Sequence, residues 1–291
     1  MRSAASRSLR RILEPEMGPW SEVVGVIALA CVGAVGGHFV SRLRRPYWLL
    51  GMIVPLLMLI GMTVHGLEST PPFSWLVPCR RENAAAAVLV TMVFFTTLKH
   101  LPSRRRAVLV VALAVAAEIH FALMPFLLPA LAQPYFRSLR TVVDGNGVCM
   151  QNTYYTCGPA AAVTALKRLG IEAEEGEIAI LARMRPGAGV HFDMLAQGLE
   201  RHYKAQGLRC AEKRCETVED LQRDGICLVS TRLMFRIRHC VAVLEVTDAE
   251  VVVGDPLVGL RRLTRAQFRR AWSGDCLVLS RDRGKEAGGT P

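Results

Sequence analysis

Four long apolar stretches, separated by short basic breaks, dominate the first half of this chain of 291 residues. Each stretch approaches or exceeds the ~20 residues that a helix needs to cross a bilayer, and the third is the shortest. Burial in a soluble core is the weaker explanation, because soluble cores do not usually contain four such helices in succession with arginine-rich breaks. The pattern therefore predicts a membrane domain of four transmembrane helices over residues 20–132, after a basic tail at 1–19. The helices are expected at 20–40, 47–65, 84–98 and 107–132.

The second half changes to shorter amphipathic segments and β-branched runs. An apolar helix is predicted to begin at Cys157 and to end at Gly170, since glycine is the usual residue just beyond a helix end. A β-hairpin is predicted from two apolar runs, 236–246 and 251–256, which a short polar turn joins. Two further helices are expected, at 174–184 and 193–206.

A turn-rich segment at 133–147 is expected to link the predicted spans to the second domain, at 148–283. Residues 284–291 are expected to form a disordered tail. The predicted fold class is thus an α-helical membrane domain followed by an α+β domain with an antiparallel sheet.

Composition and charge agree with this division. The chain is 51% hydrophobic with a mean hydropathy of +0.27, which is too apolar for one soluble domain. The net charge is +11, but residues 1–144 hold 15 Lys and Arg against 7 Asp and Glu, so most of the excess flanks the predicted spans. Basic residues beside spans are topology signals and partners of lipid headgroups. We therefore expect the lipid bilayer as a partner and no nucleic acid. The sequence contains no Walker-type phosphate loop, so no nucleotide is expected.

Cys157 lies where a polar, turn-prone stretch meets the first turn of the predicted helix. Unpaired backbone N–H groups and the positive end of the helix dipole favour a thiolate at such a position. Thr156 can serve as the N-cap, and Pro159 fits the first turn, where a missing N–H costs nothing. Most free cysteines are inert core residues, so the assignment of Cys157 as a nucleophile depends on its neighbours in the fold.

Those neighbours are expected from the predicted hairpin. His239 opens its first strand and Asp255 closes its second, so antiparallel pairing places both residues at the same end of the sheet. A cysteine nucleophile needs a base, and the imidazole needs a carboxylate that fixes its orientation. Gln151, six positions before Cys157, can supply an amide donor to the oxyanion. The predicted catalytic residues are therefore Cys157, His239, Asp255 and Gln151, with no metal and no cofactor.

The same residues carry a resemblance. The residues that carry it are, in order, Gln151, Cys157-Gly158-Pro159-Ala160, His239 before an apolar strand, Asp255-Pro256, Gly259, Phe268 and Trp272. With them the sequence resembles the C39 group of papain-like cysteine peptidases, which are the bacteriocin-leader or double-glycine peptidases. The resemblance covers roughly residues 145–281. It implies a papain-like fold, a peptide or protein substrate, and the roles of nucleophile, base, orienting carboxylate and oxyanion donor for the four residues above. Two features differ from the family pattern: Cys240 follows the histidine, and the preceding loop, 232–238, is unusually basic. The predicted peptidase domain also follows the spans, whereas in the founding exporters it precedes them.

Two other functions keep the same residues. In the first, the domain retains the C39-like fold but only binds a leader or partner peptide, and the complete set of four residues argues against this. In the second, a transglutaminase-like acyltransferase uses cysteine, histidine and aspartate. The 82 positions from Cys157 to His239 and the upstream Gln151 favour the peptidase order.

Seven of the nine cysteines lie in the second half, and the six besides Cys157 are compatible with disulfides in an oxidising compartment. Cys210 and Cys215, in a polar stretch, are the best candidate pair. Basic residues are dense in the tight loops at 42–45 and 99–106, which favours these loops as cytoplasmic. The expected localisation is therefore a bacterial inner (plasma) membrane, with the peptidase domain on the extracytoplasmic side.

Glu118 and His120 lie well inside the fourth apolar stretch. An ionisable residue at such a depth is costly and is a functional-site hypothesis by default. A milder interpretation is a helix-packing hydrogen bond between Glu118 and His120.

Overall fold

The computed structural model describes residues 19–44, 47–61, 81–98, 100–101, 103–222, 225–234 and 237–282, and the chain divides into two compact units, residues 1–130 and 131–291. Three sequence expectations fall outside the described residues: the tail at 284–291, all but the last residue of the tail at 1–19, and the end of the second apolar stretch, 62–65.

The first unit is helical. Its α-helices run over Pro19–Val40 (α1), Tyr47–Gly61 (α2), Arg81–Leu98 (α3) and Arg104–Ala117 (α4), and a π-helical segment, Glu118–Leu123, then leads into Met124–Arg137 (α5), which crosses the boundary between the units. The continuous helix predicted for 107–132 is interrupted by the π-helical segment. The N–H of Met124 bonds to the carbonyl of Ile119, five residues back, and π turns of this kind bend helices.

One segment among the described residues, Trp20–Val40, is by itself long and apolar enough to cross a membrane. A second candidate arises if α4 and α5, which are bent by 49° at their break, count as one span. The second and third predicted spans coincide with shorter apolar helices, over Tyr47–Leu57 and Ala85–Leu98. Length and composition thus support one or two spans.

The helices of the first unit pack through an apolar cluster and, at one point, through a glycine. Val26 and Phe126 belong to a buried apolar cluster, and a Cβ on Gly33 would lie 2.1 Å from Thr91 Oγ1, so α1 and α3 approach closely at this glycine. Most of the large apolar side chains that are exposed in the described part of the chain belong to this unit. Examples are Val24, Val32, Phe39, Leu57, Val108 and Leu113.

The second unit is built on a six-stranded sheet, and every pairing in it is antiparallel, as the sequence predicts. Two of the unit's strands, Val142–Val143 (β1) and Cys149–Met150 (β2), lie outside this sheet. In chain order the strands of the sheet are Leu208–Arg214 (β3), Ile226–Met234 (β4), Ile237–Val246 (β5), Glu250–Asp255 (β6), Gly259–Thr264 (β7) and Trp272–Arg281 (β8). The order in the sheet is β3-β8-β4-β5-β6-β7, and β1 pairs with β2 in a separate ribbon. The predicted hairpin is confirmed as β5 and β6.

Helices cover both faces of this sheet. The helices are Cys157–Arg168 (α6), Glu175–Leu181 (α7), Phe192–Tyr203 (α8) and Arg265–Ala271 (α9), with 3₁₀ turns at Lys204–Gln206 and Glu219–Gln222. Side chains alternate along β5: Cys240 and Ala242 pack in the core cluster that contains α6, whereas Val241 and Val243 pack with Phe268 of α9. The central strands of the sheet are therefore buried on both sides, and α6 lies against the strand that carries His239.

The segment predicted as a linker, 133–147, contributes to the fold of the second unit. Helix α5 continues to Arg137, and Phe136 packs with Ala179 and Met184. Strand β1 pairs with β2, and the Asp144 carboxylate accepts hydrogen bonds from the backbone of Asn146 and Val148 in the intervening turn. Apolar residues within this turn-rich sequence give it a place in the core.

Candidate active site

Cys157 is the first residue of α6 and is half-buried, as predicted. Thr156 occupies the N-cap position, but its side chain makes no capping hydrogen bond; the hydroxyl accepts from the N–H of Thr153 and donates to the Thr153 carbonyl. Pro159 lies in the first turn and Gly170, with φ of +72°, follows the helix end. The free N–H groups of the helix start are therefore available to the thiol.

His239 and Asp255 are joined by a hydrogen bond of 2.7 Å between Nε2 and Oδ1. Sheet register explains the contact. Ala242 pairs with Gly254, the residue before Asp255, so the end of β6 lies beside the start of β5, where His239 stands. Both side chains are only 5% exposed. The prediction that the hairpin brings these residues together is confirmed.

The Cys157 thiol hydrogen-bonds to the His239 imidazole. Because Nε2 of His239 bonds to Asp255, Nδ1 is the ring nitrogen left for the sulfur. Burial would raise the pKa of Cys157, but the hydrogen bond with His239 and those from the N–H groups of Cys240 and Gly158 outweigh it and lower the pKa below its ordinary value. Burial favours a neutral imidazole, yet the hydrogen bonds and charges of Asp255 and Cys157 raise the pKa of His239 to about 9. A thiolate–imidazolium pair is therefore favoured.

Asp255 has a donor for each carboxylate oxygen. Oδ1 accepts from His239 and from the N–H of Leu257 at 3.0 Å, and Oδ2 accepts from Arg261 Nη1 at 3.2 Å. Burial would raise the pKa of Asp255, but these bonds lower it, so the carboxyl is ionised at neutral pH. Sequence analysis missed Arg261, because only the register of β6 and β7 shows which of two consecutive arginines faces the carboxylate.

A backbone hydrogen bond holds Gln151 near Asp255: the N–H of Gln151 donates to the carbonyl of Pro256, the residue after Asp255, at 3.0 Å. Its side-chain Nε2 donates to the Thr153 carbonyl at 2.7 Å, while Oε1 is buried without a hydrogen-bond partner among the described residues. An amide nitrogen carries two N–H groups, so one remains for an oxyanion. The role of Gln151 as oxyanion donor stays a prediction.

A second residue that sequence analysis missed is Glu175, which is fully buried. Its carboxylate accepts hydrogen bonds from the backbone N–H and the side-chain amide of Asn152, at 3.0 and 2.5 Å. This contact fixes the loop that carries Gln151 toward Cys157. The sequence gives no signal for it, because an acidic residue in a first helical turn is usually a solvated one.

The predicted Cys210–Cys215 pair does not form. Cys210 packs against the core cluster of α6, whereas Cys215 lies in the cluster on the other face, with its sulfur 2.7 Å from that of Cys276. Residues five apart along an extended chain point to opposite faces, which explains the separation. Every cysteine that the structure describes is a free thiol.

The hydrogen bond between Glu118 and His120, the milder of the two interpretations, does not form. Both carboxyl oxygens of Glu118 are buried without a hydrogen-bond partner in the described part of the chain. Residues two apart on a helix lie on different sides of it. In the ranges that the structure describes, no group of three or more His, Cys, Asp or Glu could hold a metal ion.

Residues 146–284 match the family model described as Peptidase C39 family, which places a C39 domain in the second unit and agrees with the sequence resemblance. An uncharacterized protein of Methanothermobacter marburgensis is 29% identical over 144 residues, which are 50% of this chain and 95% of that protein. The probable functional amyloid protease FapD of Pseudomonas aeruginosa is 29% identical over 132 residues, 43% of this chain and 56% of its own length.

Two solved structures are also similar. The peptidase domain of Streptococcus ComA, a bi-functional ABC transporter involved in a quorum sensing pathway, has 18% identity and a TM-score of 0.40, over 45% of this chain and 96% of that domain. A double glycine motif protease from an AMS/PCAT transporter, in complex with the leader peptide, has 18% identity and a TM-score of 0.41, over 50% of this chain and 99% of its own.

Proposed function

We propose that the C39 domain of this chain is a cysteine peptidase in which Cys157 is the nucleophile, His239 the general base and acid, Asp255 the orienting carboxylate and Gln151 an oxyanion donor. The observation that carries the proposal is the hydrogen-bonded series Cys157–His239–Asp255 together with the lowered pKa of the thiol. The match to the C39 family supports the same activity.

The geometry accounts for each step. The Cys157 thiolate attacks a peptide carbonyl, and the oxyanion forms beside the N-terminus of α6, where the backbone N–H of Cys157 and the Gln151 amide can donate to it. The His239 imidazolium then gives its Nδ1 proton to the leaving amine, leaving a thioester on Cys157. His239 next takes a proton from water, whose oxygen attacks the thioester and releases the acid. Asp255 keeps Nε2 bonded throughout and so fixes the ring.

The substrate is a peptide or protein met at the membrane, and double-glycine leaders are the class that family resemblance suggests. The test is cleavage of leader-type peptides by the full-length protein and by Cys157→Ala. We expect at least a ~10³-fold loss of turnover, because the variant removes the nucleophile and little packing. Cys210→Ala is the matched control, since it also removes a half-buried thiol but on the edge strand β3, three strands away from β5.

Turnover that survives in Cys157→Ala would contradict the assignment. Peptide binding without any turnover in the parent protein would favour the non-catalytic module. If added primary amines were incorporated into the product in preference to water, the transglutaminase-like alternative would hold instead.

We also propose that the first unit is a four-helix membrane domain that anchors the peptidase in a lipid bilayer, with the C39 domain outside the cytoplasm. The exposed apolar side chains of its helices support contact with lipid, and the dense basic charge at 42–45 and 99–106 supports cytoplasmic segments there. Alkaline phosphatase is active only where disulfides form, so its fusions report the side of the membrane. We expect membrane-bound, active fusions after Leu139 and inactive fusions within 99–106.

The reverse activity pattern would place the peptidase in the cytoplasm. Fusions that carbonate washing releases from membranes would argue against spanning helices altogether.

A further inference from the structure

Arg261 is the charged residue that completes the buried end of the site. It lies on β7 opposite Val253, and Val253 is two residues before Asp255, so Arg261 and Asp255 are diagonal neighbours on one face of the sheet. The next residue, Arg262, points to the other face and pairs with Glu250. Two consecutive arginines therefore have different surroundings, although the sequence does not distinguish them.

The contact of Arg261 is with the carboxylate oxygen that the imidazole leaves free. Nη1 of Arg261 is 3.2 Å from Oδ2 of Asp255, while His239 and the N–H of Leu257 bond to Oδ1. The Asp255 side chain is 5% exposed and that of Arg261 is 47% exposed. A buried carboxylate oxygen without a donor is costly, and a half-exposed guanidinium provides one without itself losing all of its water.

The charges of the site alternate in sign. When Cys157 is a thiolate and His239 an imidazolium, the series thiolate, imidazolium, Asp255 carboxylate and Arg261 guanidinium sums to zero. Two further ionisable groups lie near the series without belonging to it. Burial raises the pKa of the Cys240 thiol, which stays neutral, and the Asp144 carboxylate beside Gly259 already accepts two backbone hydrogen bonds in its own turn. Without Arg261 the buried series would carry a net negative charge.

We propose that Arg261 is a positioning residue of this active site: it fixes the Asp255 carboxylate through Oδ2, and its charge favours the thiolate form of Cys157. The inference rests on the proposed peptidase function and adds a residue to its machinery. Arg261 acts through Asp255 and does not touch the reacting atoms.

The sign of the effect follows from electrostatics. Removing a positive charge makes the potential at Cys157 and His239 more negative, so both groups hold their protons more strongly. The pH profile of thiolate reactivity should therefore move to higher pH. Because Arg261 is half-exposed, screening limits the shift to about half a pH unit, and the loosened carboxylate should lower kcat about three- to five-fold with KM unchanged.

The test measures iodoacetamide alkylation of Cys157 in the full-length protein as a function of pH, with the modified peptide quantified by mass spectrometry because other thiols are present. The variants are Arg261→Gln, Arg261→Lys and Arg262→Gln. We expect Arg261→Gln to shift the midpoint upward, and Arg261→Lys to keep it near that of the parent, since the contact uses one N–H and the charge is retained. Arg262→Gln is the matched control and should leave the profile unchanged.

Coincident profiles for Arg261→Gln and the parent would overturn the inference while leaving a reactive Cys157 and the peptidase proposal intact. An equal shift in Arg262→Gln would also overturn it, because the effect would then come from surface potential. A parent profile that titrates like a free thiol would overturn the proposed function and this inference with it.

Discussion

Each unit of this chain contains a buried carboxyl group, and the two groups differ in their hydrogen bonding. In the second unit, the oxygens of Asp255 accept hydrogen bonds from His239, Leu257 and Arg261. In the first unit, the oxygens of Glu118 have no hydrogen-bond partner among the described residues and border an apolar cavity of about 260 Å³. A buried carboxylate whose oxygens accept hydrogen bonds can belong to a preorganised site. A buried carboxyl group without such bonds costs free energy.

The apolar side chains show the same contrast. The second unit encloses its large apolar residues between helices and sheet, and its two core clusters contain fully buried residues such as Leu166 and Phe268. The first unit buries Ala87 and Ala122 together with a few larger residues and exposes many of its large apolar side chains. The second unit thus shields its large apolar side chains from water, whereas the first exposes many of its own, as the proposed membrane domain requires.

The largest expected effect is the difference in turnover between variants of the two carboxyl groups, Asp255 and Glu118. Asp255→Asn should lower kcat for peptide cleavage by about 10²- to 10⁴-fold with a modest change in KM, because the imidazole loses the charge that stabilises its protonated form. Glu118→Gln is the matched variant, and we expect near-parent turnover from it, since that carboxyl has no hydrogen-bond partner among the described residues. Steady-state kinetics on the two purified variants measure the difference.

Near-normal turnover in Asp255→Asn would mean that another residue orients His239. A comparable loss in Glu118→Gln would instead connect the first unit to the chemistry, and the contrast between the units would fail.

The next effect concerns the thiol itself. The lowered pKa of Cys157 means that its thiolate forms at a lower pH than that of an ordinary thiol, and the imidazolium is lost as pH rises through about 9 for His239. The thiolate–imidazolium pair therefore exists at pH values above the lowered pKa of Cys157 and below about 9, the pKa of His239. In His239→Ala, burial is no longer opposed by the imidazole, and alkylation of Cys157 at neutral pH should slow by about ten- to thirty-fold.

The measurement is the pH dependence of iodoacetamide alkylation at Cys157 in the parent and in His239→Ala. The hydrogen bond between Cys157 and His239 would be irrelevant to reactivity if both proteins gave the same midpoint.

The smallest expected effect compares a glycine in each unit. Gly259 has φ of +87°, and a Cβ there would lie 2.7 Å from Asp144 Oδ2, whereas a Cβ on Gly25 of α1 would meet nothing within 4 Å. Gly259→Ala should lower the free energy of unfolding of the second unit by about 1–2 kcal/mol. Gly25→Ala should leave that value unchanged.

Urea-dependent alkylation of the buried Cys276 thiol reports unfolding of the second unit in both variants. A parent-like urea midpoint for Gly259→Ala would show that the Asp144 turn moves aside at little cost. Destabilisation by Gly25→Ala would show that the units are energetically coupled.

Local signals in the sequence determined much of this protein. The start of α6 at Cys157 follows from a polar turn before an apolar run, and the end of the helix from Gly170, because helix ends have strong residue preferences. The hairpin of β5 and β6 follows from two β-branched runs and a short turn, and its antiparallel pairing already brought His239 and Asp255 to one end of the sheet. These features depend on residues that are close along the chain.

The tertiary structure decided what depends on register, face and distant partners. Arg261 rather than Arg262 reaches Asp255, Glu175 holds the loop before Cys157, and Cys215 meets Cys276 instead of Cys210. It also interrupted the fourth apolar stretch with a π-helical turn and gave the predicted linker a place in the second unit. A period-2 strand or a helix restricts a side chain to one of its faces, but which face meets which distant residue is set only when the sheet pairs and the core closes.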